Sequence, residues 1–524
     1  MKRRMVSVLA AVMVMFAAAT AKMGYYAAGN DVRADLIGAT VSVDVATLRG
    51  EILDCNLLPI TGVQRRYVAA IAPTEEAIGK LAKMGDGYLW ALRRLYEGRP
   101  VACEVTADFE ADGAVVFEVP QRYGDIQSAA HVIGYLNGNG QGASGLEQGY
   151  ESLLGGYRTI TVTYAVDASE RVLTGESAAV GGDRSAPSAV VTTIDSRLQQ
   201  IVEQVAGQSI KKGAVVLSEV GTGKIRAMCS LPQFSPADIS ASLDAADGPF
   251  VNRAISAYNV GSVFKLCVCA AALEGGTDGC TYTCTGSLQL GSNLFNCHNH
   301  SGHGTQDIST ALSNSCNPYF ITLAAAVGGD GLMDMCFKLR FGRSKALANG
   351  IFTASGVLPQ RDAITQSAAA LANLSFGQGE LMLTPVDVNS MTETIAAGVY
   401  NSPCLVEYTV DKAGNKSRYA VTSAKVISDQ TAARLREMMC NVVANGTGRA
   451  ARPEQCTAGG KTATAETGWV QEGRAINNSW FTGFFPAEQP KYALTVLVED
   501  GISGSVDCAP VFKQIADMIC EKIG

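Results

Sequence analysis

The stretch AYNVGSVFKL (257–266) decides how the rest of the chain is read. It holds Ser262 and Lys265, three positions apart. In the run that follows, VFKLCVCAAALEGG, the only charge from Val263 to Leu273 is Lys265. A helix that is apolar all round is a buried helix, and Gly275 and Gly276 supply its stop. Lysine is almost never buried without a partner or a purpose. Desolvation disfavours its charged form and lowers its pKa. A neutral lysine can take a proton from a hydroxyl on the same helix face, and residues i and i+3 share a face. A serine hydroxyl is a weak nucleophile until a base activates it. Ser262 and Lys265 are therefore read as nucleophile and base. The alternative for this stretch alone is an N-cap serine with a lysine snorkelling to the surface. A second Ser-x-x-Lys, Ser209 to Lys212, lies in a polar segment beside Lys211, where nothing desolvates a lysine.

Two other stretches bear on the choice. LSNSCNPYF (312–320) holds Ser315 and Asn317, the chain's only Ser-x-Asn. Taken singly it is a turn or N-cap signal. AGGKTATAE (458–466) holds Lys461 and Thr462, which singly suggest an edge strand with an exposed lysine. Their order carries more. Ser315 follows Ser262 by 53 positions, and Lys461 follows Ser315 by 146. Ser-x-x-Lys, then a Ser/Asn element, then Lys-Thr-Gly is the pattern of penicillin-binding proteins and class A β-lactamases.

On these motifs the chain resembles the class B penicillin-binding proteins, the monofunctional peptidoglycan transpeptidases. The likeness also runs through TTIDSRLQ, GAVVLSEVGTGKIRAMCSLPQF, NRAISAYNVGSVFK, FGQGELMLTPV and SWFTGFFP. Upstream, RYGDIQSAAHVIGY and GLEQGYESLLGG look like the family's N-terminal non-catalytic module. Nothing resembles the glycosyltransferase domain of the bifunctional class A enzymes. The resemblance implies an α+β chain. A penicillin-binding/β-lactamase-like transpeptidase domain, an antiparallel sheet flanked by helices, follows an elongated mixed module and an N-terminal membrane helix. The expected limits are 1–28 for the cytoplasmic tip and anchor, 29–180 for the non-catalytic module and 181–524 for the transpeptidase domain.

The resemblance also assigns roles. Ser262 attacks the carbonyl between two terminal D-alanines of a stem peptide, and Lys265 takes its proton. Ser315 and Asn317 relay the proton to the leaving D-alanine and hold the substrate amide. Lys461 and Thr462 bind the terminal carboxylate. The backbone N–H groups of Ser262 and Thr464 stabilise the oxyanion. β-Lactams are the expected inhibitors, and no cofactor or metal is required. One position departs from the family's Lys-Thr-Gly-Thr, because Ala463 stands where glycine is usual. Glycine permits close backbone approach to a ligand, so a methyl group facing the substrate would hinder it. The competing readings are a non-catalytic scaffold of the wall-synthesis complex and a β-lactamase or β-lactam sensor of the same fold.

The remaining features bound these readings. The 524 residues are too many for one ordinary domain. A 47% hydrophobic and 17% charged composition suits a globular core rather than a disordered chain. A net charge of -7 without a long basic run gives nucleic-acid binding no support. MKRRM before VSVLAAVMVMFAAATA places the N-terminus in the cytoplasm and the catalytic bulk outside, with Tyr25 and Tyr26 at the interface. A cleaved signal peptide ending at Ala19-Thr20-Ala21 is the rival. The expected partners are peptidoglycan stem peptides, their lipid-linked precursor polymer, the membrane and a glycosyltransferase.

Along the chain, 80–98 (KLAKMGDGYLWALRRLYEG) reads as a helix and AVVFEVP as a strand. Residues 176–189 read as the linker. A helix capped by Asp195 follows, then a hairpin at Gly-Thr-Gly-Lys, which is not a full phosphate-binding loop. Of fifteen cysteines, Cys284 and Cys297 are the disulfide candidates. His298, His300 and His303 cluster beside Cys297 in a loop without clear ligand spacing.

Overall fold

The stretches Gly213–Glu219 and Tyr492–Val498 are buried on both faces, so both faces of their sheet need cover. The computed structural model describes residues 12–23, 39–156, 158–173, 178–183, 186–471 and 473–523. In it, β1 (Gly213–Glu219), β2 (Ile225–Leu231), β3 (Gly459–Gln471), β4 (Arg474–Phe485) and β5 (Tyr492–Val498) form one antiparallel sheet. Its order is β2-β1-β5-β4-β3, which leaves β3 at an edge.

The cover is helical. On one face Val215, Leu217, Phe481 and Phe485 pack with α1 (Ser196–Ser209) and the C-terminal α6 (Ala509–Lys522). The other face carries α4 (Pro385–Ala397), which is buried along almost its whole length. Several of its polar residues bond to the sheet, to neighbouring loops or back to the helix itself. Asn389 donates to the carbonyls of Val216 and Ala493, Thr392 meets Thr482, and Glu393 accepts from Gly223 N. Asp387 closes a capping box with Thr384 and pairs with the buried Lys345. An apolar cluster beyond α4 gathers α2 (Lys265–Gly275), α3 (Asn317–Lys338) and α5 (Asp429–Ala444). The length and composition of α3 would let it cross a membrane, but its apolar residues lie in this core and Gly328 interrupts its helical geometry.

Chain contacts divide the protein into two units. One holds Gly50–Val63, Arg122–Gly156 and Ala186–Gly524. Glu51–Leu53 enters it as a strand parallel to Ala189–Thr192, and Arg122 pairs with the fully buried Glu147. The other holds the described residues of Met1–Arg49, Gln64–Gln121 and Tyr157–Ser185. There, Val101–Val105, Arg65–Ile71 and Ala114–Pro120 form a sheet packed on two short helices. The helix expected over 80–98 is split into Glu75–Ala82 and Leu89–Tyr96. Gly85, at φ 116°, takes a conformation that a helix cannot continue through. An apolar helix, Val12–Met23, is exposed along its length. MKRRM, Tyr25 and Tyr26 lie outside the described residues, as do positions 176, 177, 184 and 185 of the expected linker.

The Asp195 cap accepts from Arg197 N as expected. The Gly-Thr-Gly-Lys turn joins β1 to β2, and Lys224 there pairs with Glu407. Cys284 and Cys297 are both unbridged, as are the other thirteen cysteines.

Candidate active site

Ser262 sits in a single 3-10 turn, Gly261–Phe264, that runs directly into α2. Gly261 must be glycine. Its φ is 56°, and a Cβ there would lie 2.9 Å from the Thr464 carbonyl of β3. Its N–H donates to the carbonyl of Gly377, where a Cβ would fall 2.0 Å from the Gly261 carbonyl. The Ser262 turn is thus wedged between the edge strand and the Phe376–Gly379 loop. Lys265 follows one turn later, fully buried, with its Nζ 5.3 Å from the centre of the Phe320 ring.

The Ser-x-Asn element arrives from another direction. A short helix, Ile308–Ser313, opens on an Asp307 capping box and ends just before Ser315. Ser315 adopts φ 53°, a left-handed conformation that costs an L-residue roughly 1–2 kcal/mol. Asn317 then begins α3, and Pro318 occupies its first turn, where the missing N–H costs nothing. This bend aims three Ser315 and Asn317 atoms at one point. Lys265 Nζ donates to Ser315 O at 2.8 Å, Ser315 Oγ at 3.2 Å and Asn317 Oδ1 at 2.7 Å. It also reaches Ser262 Oγ at 3.0 Å.

Lys461 closes the group from β3. Its Nζ donates to Ser315 Oγ at 3.1 Å and to the Thr462 carbonyl at 2.9 Å. One serine hydroxyl therefore stands between two fully buried lysines. Burial lowers the Lys265 pKa from 10.5 to about 7. Burial also takes Lys461 well below its usual range, and the Lys265 charge pushes the same way. The cluster holds a lysine that can be neutral near pH 7, hydrogen-bonded to a serine hydroxyl, which is the arrangement an activated nucleophile needs.

All five residues expected to be catalytic thus meet in one hydrogen-bonded group. Thr462, Ala463 and Thr464 border the same cleft, of about 780 Å³, that Ser262, Ser315 and Asn317 line. Lys461 is buried, unlike the exposed edge-strand lysine its local sequence suggested. Residues i and i+2 of a strand share a face, so Lys461, Ala463 and Ala465 point together toward the helices. Ala463 is 3% exposed and joins the apolar cluster with Val263 and Trp480. Ala463 thus packs into the core while also lying on the cleft lining. Thr447, which meets Thr462 Oγ1 at 2.8 Å, and Asn296, whose carbonyl accepts from Asn317 Nδ2 at 3.4 Å, were not foreseen. Neither sits in a motif; only the folded chain brings them to the cleft.

Residues 213–517 match the penicillin-binding protein transpeptidase domain. The chain is 28% identical over 499 residues to stage V sporulation protein D of Bacillus subtilis, covering 86% of this chain and 74% of that one. It is 31% identical over 363 residues to peptidoglycan D,D-transpeptidase PbpA of Mycobacterium tuberculosis, covering 63% and 72%. It shares its fold with penicillin-binding protein 3 of Mycobacterium tuberculosis, solved with aztreonam, at a TM-score of 0.66 and 23% identity over 92% of this chain and 97% of that one. The motif order, the two-lysine cluster and these matches together place the chain in the penicillin-binding protein transpeptidase family, as a class B member.

Proposed function

We infer that the chain is a serine D,D-transpeptidase that cross-links peptidoglycan stem peptides through an acyl-enzyme. The observation that carries this reading is the buried Lys265 Nζ, within hydrogen-bond reach of Ser262 Oγ, Ser315 Oγ and Asn317 Oδ1 at once. Neutral Lys265 takes the Ser262 proton as Oγ attacks the D-alanyl carbonyl. The oxyanion forms beside the N–H groups of Ser262 and Thr464, one on the turn leading into α2 and one on the edge strand. An edge strand also has backbone groups free to pair with an extended peptide. Lys461 and Thr462 receive the substrate's terminal carboxylate. The proton leaves Lys265 through Ser315 Oγ to the departing D-alanine. An amine from a second stem peptide then takes the acyl group and frees Ser262.

β-Lactams acylate the same serine in this reading. The exposed apolar helix Val12–Met23, preceded in sequence by MKRRM, supports a single membrane anchor with the catalytic unit on the extracytoplasmic side. A monofunctional transpeptidase works on a polymer made elsewhere, so a glycosyltransferase partner is part of the proposal.

The test is labelling of the full chain in detergent with a fluorescent penicillin, beside Ser262→Ala. Stable labelling mapped to Ser262 and lost in the variant is expected. A folded wild-type chain that takes no label would sink the reading and favour a scaffold. Rapid release of hydrolysed penicillin would favour a β-lactamase.

A further inference from the structure

Four side chains beside the cleft have no part in the acyl transfer. Cys284, Cys297, His303 and Cys316 bring their sulfur and nitrogen atoms within 4.8 Å of one another. The three cysteines are at most 2% exposed. The four come from separate places in the fold. Cys284 ends the strand Tyr282–Cys284, Cys297 follows the strand Asn293–Asn296, His303 precedes the strand Gly304–Gln306, and Cys316 caps α3.

Three thiols and an imidazole make the donor set of a closed tetrahedral zinc site. Zinc bonds of about 2.3 Å to sulfur and about 2.0 Å to nitrogen would hold a neighbouring sulfur and nitrogen about 3.5 Å apart. Cys297 Sγ and His303 Nδ1 are 3.4 Å apart. Other buried cysteines do not assemble this way. Cys267 and Cys336 approach to 3.9 Å, yet this is the only group of metal-ligating type among the described residues. The backbone is also shaped for it. Gly302, at φ 82°, would place a Cβ 2.3 Å from the Cys284 carbonyl, so the chain crosses closely where the ligands converge.

The segment needs such a tie. Its hairpin, Ser287–Leu290 with Asn293–Asn296, buries no residue fully, and an isolated two-stranded hairpin is marginal in water. Cys316 lies between Ser315 and Asn317, so whatever holds its sulfur also holds the strained turn that faces Lys265.

We propose that Cys284, Cys297, His303 and Cys316 bind one zinc ion as a structural site bracing the Ser315–Asn317 turn. Binding exchanges three thiol protons for the divalent ion, and no group is oxidised or reduced. The site itself stands apart from the proposed function; only its effect on acylation rests on that reading.

The experiment is metal analysis of the full chain, purified in detergent with reductant and without chelator. One zinc per chain is expected, and cobalt in its place should give the visible bands of a tetrahedral thiolate complex. Cys284→Ser and Cys297→Ser should lose the metal, while Cys404→Ser, a buried cysteine outside the group, keeps it. Stripping zinc should slow penicillin acylation about tenfold, with recovery on adding it back. A wild-type chain with neither zinc nor a cobalt spectrum overturns the proposal. So does a metal-free chain whose mass is lower by a pair of hydrogens, which assigns a disulfide instead. Zinc bound by a chain that takes no penicillin upholds the site and sinks only the transpeptidase reading.

Discussion

The acylation rate should titrate with Lys265. Burial brings this lysine from 10.5 to about 7. At pH 7 a lysine titrating near 10.5 is neutral in about one molecule in 3,000, whereas one titrating near 7 is neutral in about half. The sign follows from the role. The base must be neutral to accept the Ser262 proton, so activity is present above the shifted pKa and lost below it. Well below 7 the neutral fraction falls about tenfold per pH unit. The second-order rate constant for penicillin acylation should therefore drop about a hundredfold from pH 8 to pH 5. Stopped-flow or timed-gel labelling measures it, with circular dichroism checking that the fold survives at pH 5. Lys265→Arg supplies the control. Its guanidinium stays charged across this range, so the rate should fall by about 10²–10⁴ and lose the inflection. A rate that is flat from pH 5 to 8, or one still climbing steeply above pH 9, would refute the assignment of Lys265 as a depressed base.

Ser315→Ala and Ser315→Gly both remove the hydroxyl between the two lysines, and each should slow acylation about a hundredfold. They should part in stability: at φ 53° the glycine variant should unfold about 1 kcal/mol later than the alanine variant, and the reverse order in denaturant titration would count against the left-handed turn. Gly377→Ala places a Cβ 2.0 Å from the Gly261 carbonyl and should push the Ser262 turn off line, with an acylation loss of about a hundredfold. Gly379→Ala has similar φ strain but meets nothing nearer than 3.8 Å, so equal losses in both variants would discredit the wedge. Ala463→Gly removes a buried methyl group and should cost about 1 kcal/mol in unfolding free energy while acylation keeps its order of magnitude; a large gain in acylation would mean that the methyl obstructs the cleft after all.

The sequence carried the parts of this site that depend on local chemistry. An all-apolar run with one lysine announces a buried helix, and α2 is that helix. The strands of the sheet and the amphipathic α6 follow from periodicity, which survives folding because one face must meet the core. Other features depend on residues far apart in the chain. Taken singly, AGGKTATAE reads as an edge strand with an exposed lysine, and only the order of the motifs brings Lys461 into the site, because nothing within that stretch reveals that Ser315 arrives to cover it. The three cysteines and His303 show no pattern in sequence, since hairpin pairing and the α3 N-terminus bring them together, and neither leaves a periodic trace. The break at Gly85 leaves no mark in the pattern, because apolar spacing on either side continues in phase. The division has a physical basis. Which residue types are present is written locally, but desolvation is a property of the assembled site. Ser262 and Lys265 are neighbours in any helical turn. They become a nucleophile and its base only where β3, the Ser315 bend and the Phe376–Gly379 loop close around them, so the decisive quantity, the Lys265 pKa, belongs to the packing.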